Sequence, residues 1–234
     1  MFPKLLTIKK LIQYGIHQGY EINKWNPLIK NYLFGVRNNN HIIDLEQSIF
    51  MLRRAMNVVK EVSFNRGTIL FVGCSEQKYI SNIVTVAAKR CSQYYINHRW
   101  IGGTITNWKE IYHSIEKLNS YEQRISRFDS LSSRELKKYK ILKSSLQGIS
   151  KMNHLPDLIF LVGTNENKII LREAEKYHIP VISIIDSHSD DYGITYPIPG
   201  NNSTATSIFF YSWMISNAVL AGQDYEANQF VKNV

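Results

Sequence analysis

Three short runs, at residues 68–72, 158–162 and 181–185, apolar but for Thr68 and Ser183, constrain the fold of this chain most. A strand with no polar alternation is one buried on both faces, the pattern of a parallel sheet covered on both sides. Helical spacing fills the intervals. Ile49, Leu52, Met56 and Val59 recur on one helical face, behind Asp44 and Gln47 at capping-box spacing with Asp in the usual Ser/Thr place. Gly73 and Ser75 lead into a helix to about Cys91, and residues 166–177 read as another. Strands alternating with helices predict an α/β fold with a parallel sheet between helical layers.

Other elements surround this frame. Leu5, Ile8, Leu11 and Ile12 predict a short first helix, broken at Gly15 and Gly19. Trp25-Asn26-Pro27 marks a turn, and the β-prone runs 32–36 and 41–43 flank the polar turn Arg37-Asn38-Asn39-Asn40. Residues 104–150 predict a helical hairpin. One stripe is Ile105, Trp108, Tyr112, Ile115, Leu118 and Ile125. After a break at Ser130, Ser132 and Ser133, the other is Leu136, Tyr139, Leu142, Leu146 and Ile149. Its outward faces hold Lys109, Lys117, Arg124, Arg127, Arg134, Lys137, Lys138, Lys140 and Lys143. Residues 1–103 and 151–234 then form the globular α/β domain, with 104–150 inserted. Tyr196-Pro197-Ile198-Pro199-Gly200 is extended. A last helix, capped by Asn202 or Ser203 and ended by Gly222, carries no charge from Ser203 to Gln223 but too many Ser and Thr for a membrane span.

Charge is unevenly placed. Residues 1–151 hold 24 Lys and Arg against 10 Asp and Glu, and residues 152–234 hold 4 against 9, giving +14 and −5. A basic first part suits a polyanionic partner. Cys74 and Cys91 have neither metal nor disulfide spacing and read as buried thiols. The N-terminus has Lys4, Lys9 and Lys10 and no acid before Glu21, as a transit peptide would, but no Arg before Arg37, and it reads as mature protein.

Chemistry concentrates at Arg99-Trp100-Ile101-Gly102-Gly103-Thr104-Ile105-Thr106-Asn107. Paired glycines at a strand-to-helix junction permit close backbone approach. Thr104 can cap the following helix, whose free N–H groups favour an anion. Arg99 adds a planar donor fork and Trp100 a stacking face. No nucleotide-enzyme motif accompanies it: Gly73-Cys74-Ser75-Glu76 lacks the spacing that brings a pyrophosphate to a helix N-terminus, and there is no P-loop. Asp186, His188, Asp190 and Asp191 hold metal-type donors, but a capping and hydrogen-bonding loop is the expectation.

This segment resembles the Arg-Trp-x-Gly-Gly-Thr-x-Thr-Asn signature of the small-subunit ribosomal protein S2 family. Further blocks occur in family order from about Leu11 to Ala221. They are Gly15-Ile16-His17-Gln18-Gly19, Trp25-Asn26-Pro27, Phe34-Gly35-Val36-Arg37-Asn38, His41-Ile42-Ile43-Asp44-Leu45, Phe71-Val72-Gly73, Leu155-Pro156-Asp157, Arg172-Glu173-Ala174, Ile179-Pro180-Val181 and Tyr196-Pro197-Ile198-Pro199-Gly200-Asn201. Tyr20, Gly163 and Asn202-Ser203 stand where the family commonly has His, Asp and an acidic pair. The resemblance implies a flavodoxin-like or Rossmann-like three-layer domain with a protruding helical hairpin. It also implies a place near the head–body junction of the small ribosomal subunit, touching rRNA and other ribosomal proteins. From bacterial relatives it further implies a part in recruiting a large mRNA-binding ribosomal protein.

The expectation is therefore a structural, non-enzymatic rRNA-binding protein without cofactor, metal, membrane or small-molecule substrate. Richness in Ile, Asn, Lys, Tyr and Phe, all served by AT-rich codons, and the departures from the family pattern suggest a mitochondrial ribosome, ahead of plastid or bacterial cytoplasm. The candidate RNA contacts are Lys24, Trp25, Asn26, Lys30, Arg37, Asn38, Arg99, Gly102, Gly103, Thr104, Thr106 and Asn107. Trp25 and Trp100 fit a core position equally well. The competing readings are a nucleotide-dependent enzyme using the carboxyl ends of the strands, and a scaffold whose hairpin binds a protein helix.

Overall fold

The computed structural model describes residues 6–75, 77–127 and 131–232; Leu5, Glu76 and Ser130 lie outside them. Five strands form a wholly parallel sheet: β4 (Ile69–Val72), β5 (Tyr94–Ile96), β6 (Leu158–Leu161), β7 (Val181–Ile185) and β8 (Tyr196–Pro199), in the spatial order β5-β4-β6-β7-β8. That is the doubly wound order of flavodoxin-like sheets. β4, β6 and β7 are the three apolar runs. β8 had read only as extended. It joins as an edge strand, where Pro197 and Pro199 cost no central ladder bond.

The two-residue period of each strand sorts side chains between two cores. Ile69, Phe71, Leu158, Phe160, Ile182 and Ile184 face one core, with helices α2 (Leu45–Phe64), α3 (Lys78–Arg90) and α7 (Ala205–Lys232). Leu70, Val72, Ile159, Leu161 and Val181 face the other, with α4 (Trp108–Ser126), α5 (Ser133–Leu146) and α6 (Lys168–Lys176). Helices thus cover the sheet on both faces.

Several boundaries differ from expectation. Gly222 does not end the last helix, which continues to Lys232. A Cβ at Gly222 would lie 2.5 Å from the Lys60 carbonyl oxygen and 2.8 Å from Ser63 Cβ, so this glycine lets α7 approach α2. The Ser63 hydroxyl donates to the Val219 carbonyl at 2.9 Å across the same contact. Gly222→Val is expected to lower stability by about 2 kcal/mol through overpacking, checked by thermal unfolding. The carboxamide at the start of α7 is that of Asn201, not Asn202. Its oxygen accepts from the Ser203 and Thr204 N–H groups at 2.8 and 3.2 Å.

In α4 the buried stripe is Ile111, Ile115, Leu118 and Tyr121, whereas Tyr112 and Ile125 are exposed. The stripe turns toward the sheet before it meets α5. The two helices run antiparallel: Arg124 meets Glu135 at 2.7 Å, and Tyr121 lies against Tyr139 at 6.3 Å between ring centres. Ser132 and Glu135 close a capping box at the start of α5. The Arg124 guanidinium and the Ser132 amide hold the Glu135 carboxyl down at about 2.

The N-terminal part supplies α1 (Ile8–Gln13) and a small antiparallel sheet: β1 (Gln18–Glu21), β2 (Leu33–Arg37) and β3 (Asn40–Ile43), ordered β1-β3-β2. Asn38 and Asn39, with φ of 49° and 63°, form the two-residue turn that matches hairpin twist. β1 had no sequence signature of its own. The small sheet docks on the loops after β7 and β8. The Tyr20 N–H donates to Ser187 Oγ at 2.7 Å, the Asn26 N–H to the Ser187 carbonyl at 2.8 Å, and the Asn201 N–H to the Ile16 carbonyl at 3.1 Å.

Candidate nucleic-acid interface

The loop after β5 is built around one carboxylate. Glu173, buried on α6, accepts at Oε1 from the Gly103 N–H (2.8 Å) and the Trp100 indole N–H (3.2 Å). At Oε2 it accepts from the N–H groups of Ile105 (2.9 Å) and Thr106 (3.3 Å). Gly103 has φ +92°, which aims its N–H inward and excludes an ordinary side chain. Burial alone would push the Glu173 carboxyl up. The donors from Gly103, Ile105, Trp100 and Thr106 outweigh it and hold the group below its ordinary value.

Anion affinity at this turn was expected, but the anion held there is internal. The amides of Gly103 and Thr106 are engaged by Glu173. Thr104 is buried at 2 % exposure, and its hydroxyl donates to the Ile101 carbonyl at 2.6 Å. It does not cap the helix: α4 begins at Trp108, with Asn107 at the capping position. Trp100 is core, closing the second apolar cluster. His98, Arg99, Gly102 and Asn107 remain on the surface, carried by this fixed turn.

The remaining candidates lie on the small sheet and its flanking turn. Lys24, Lys30, Arg37 and Asn38 are exposed, with Lys24 3.5 Å from Glu21. Trp25 is half-buried, its ring 5.0 Å from that of His41. Asn26 is a fastener. Its amide donates to the Ser189 carbonyl at 3.0 Å, and its carbonyl oxygen accepts from the Leu28 N–H at 3.1 Å. Arg37 and Asn38 line a cleft of about 420 Å3 with His17, Asn201 and Ser203. Arg99 and Gly102 line a larger one of about 920 Å3 with Lys78 and Glu166. The loops after β5 and β8 that contribute to these clefts lie at the same, carboxyl edge of the parallel sheet, where this architecture places ligands.

Asp186 is committed to its own loop. Its Oδ1 accepts from the His188 N–H at 2.9 Å and the Ser189 hydroxyl at 2.8 Å. Burial raises its pKa against those bonds. Both cysteines are buried, with thiols pushed up to about 12 by burial, far from nucleophilic character. No described helix is long and apolar enough to cross a membrane.

Glu173 is the residue that sequence reasoning missed. A signal existed: Ile170, Glu173 and Ala174 share the buried face of α6, so a carboxylate stands at an apolar position.

Together these elements define a three-layer α/β protein: a parallel sheet between two helical layers, with the turn after β5 held by Glu173. Residues 11–222 match the family model of ribosomal protein S2. Similar proteins are the small ribosomal subunit proteins uS2 of Paramagnetospirillum magneticum (44 % identity over 225 residues, 92 % of this chain and 83 % of the relative) and Gluconobacter oxydans (44 % over 221 residues, 92 % and 83 %). That of Ehrlichia ruminantium is 42 % identical over 223 residues, 93 % and 77 %. The chain belongs to the ribosomal protein S2 family.

Proposed function

We propose that this protein is a non-enzymatic structural component of the small ribosomal subunit, where it binds small-subunit rRNA and neighbouring ribosomal proteins. Family membership across nearly the whole chain is the observation that carries this reading. The surface supports it physically. Exposed Lys24, Lys30, Arg37, Asn38, Arg99, Gly102 and Asn107 make the contacts, and cations among them displace counterions around phosphates. Trp25, Asn26, Gly103, Thr104 and Thr106 hold those groups in place. A-form RNA is then met through shape and backbone. Residues 104–150 act as one inserted unit whose basic outward face meets RNA or a neighbouring protein. The composition, rich in residues with AT-rich codons, favours the mitochondrial ribosome as the site of action, against the cytoplasm of a bacterium.

The test is RNA affinity as a function of salt. Replacing Arg37 and Arg99 together by Ala should weaken binding to small-subunit rRNA and lower the slope of log affinity against log salt by about one per lost contact. An unchanged slope would remove these residues from the interface. Fractionation of organelles from cytosol tests the location.

A further inference from the structure

The cleft of about 920 Å3 after β4, β5 and β6 is much larger than a phosphate contact needs, and within the range of small-molecule pockets. Its lining divides into three chemistries. Lys78, His98 and Arg99 bring donors; neither Lys78 nor Arg99 forms an ion pair among the described residues. Glu166 brings an exposed carboxylate. Ile169, 59 % exposed, is an apolar surface left uncovered. Gly102, on the lining, borders open space: a Cβ there would meet nothing within 4 Å. Strand order places the cleft where β4 is flanked by β5 and β6, the switch point at which open α/β sheets hold ligands.

We propose that this cleft receives a single nucleotide unit, extruded from the bound RNA, with its phosphate against Lys78 and Arg99, its base over Ile169, and its amino or hydroxyl hydrogens on Glu166. This rests on the RNA-binding reading above and deepens it from backbone contact to capture of one unpaired nucleotide. Glu173 is its indirect support, because the turn it locks carries Arg99 and Gly102. Cations on the backbone are the common part of single-strand recognition; the surface under the base is more often aromatic than the aliphatic Ile169 found here.

The test uses the full-length chain and a short thiouridine-substituted single-stranded RNA at low ionic strength. Photocrosslinks are expected in residues 97–102 or 166–170. Lys78→Gln and Gly102→Leu, the second adding bulk to the lining, should each weaken binding about tenfold. A ribose-phosphate strand lacking bases should bind the unaltered chain as weakly as the RNA binds these variants. A free nucleoside monophosphate serves as competitor. Displacement only at high concentration identifies a unit within a strand, and saturation at low concentration identifies a free nucleotide; both keep the cleft as a nucleotide site. Crosslinks elsewhere, with variants that bind like the parent, would overturn the cleft while leaving RNA binding intact. Loss of affinity for the short RNA and rRNA alike in the unaltered chain would overturn both.

Discussion

Replacing Glu173 by Ala is expected to lower stability by roughly 3–4 kcal/mol. Four N–H donors, those of Trp100, Gly103, Ile105 and Thr106, lose their acceptor at once. A stranded buried donor costs about 1–3 kcal/mol, and water entering the vacated space returns part of the sum. For a chain of 234 residues this corresponds to a fall in Tm of about 6–16 °C. Glu173→Gln keeps one acceptor oxygen but turns an amide nitrogen toward donors, so it should fall between the parent and the Ala variant. The pH dependence has a definite sign. The folded carboxyl lies below its unfolded value, so its contribution is present above the ordinary glutamate value of 4.5 and is lost as pH falls from there through the folded pKa. The stability gap between the parent and Glu173→Gln should therefore narrow in acid. A gap that stays constant from neutral pH to pH 3, or an Ala variant as stable as the parent, would show that the carboxylate does not hold the turn. RNA affinity adds a second readout, since a loosened turn misplaces Arg99.

The second large effect is expected at Gly148, where the chain returns from α5 to the sheet. A Cβ there would sit 2.0 Å from the Tyr95 carbonyl oxygen and 2.6 Å from the Tyr95 ring. The nearer obstacle is backbone of β5, so relief requires moving an edge strand rather than a side-chain tip. Gly148→Val should reach the top of the overpacking range, about 3 kcal/mol, or about 6–12 °C in Tm. Gly35→Ala is the control, because a Cβ there meets nothing within 4 Å. Equal Tm values for the two variants would refute the close approach.

The layered fold was legible because β4, β6 and β7 are buried on both faces and so carry no polar residue until Ser183. β1 was not, since Gln18-Gly19-Tyr20-Glu21 is short, polar and partly exposed, and its pairing is set by tertiary contacts with β3 and Ser187. The first helix of residues 104–150 was found with its stripe displaced from Ile111 to Tyr112, because spacing alone does not say that the helix must first satisfy the sheet. At the Gly-Gly turn the expected anion was an external phosphate, and the amides are instead engaged by the Glu173 carboxylate. The position of Glu173 on the apolar face of α6 marked it as buried, but not its partner, because the contact joins residues about seventy positions apart. The exposed cations needed no such tertiary information, since Arg37 and Arg99 sit in or beside turns that local sequence already marks.

Sedimentation of the tagged chain from a lysate of its native compartment tests the central claim most directly. Comigration with small-subunit rRNA is expected, with release on nuclease treatment and at high salt. A chain that stays at the top of the gradient, free of RNA at moderate salt, would contradict it.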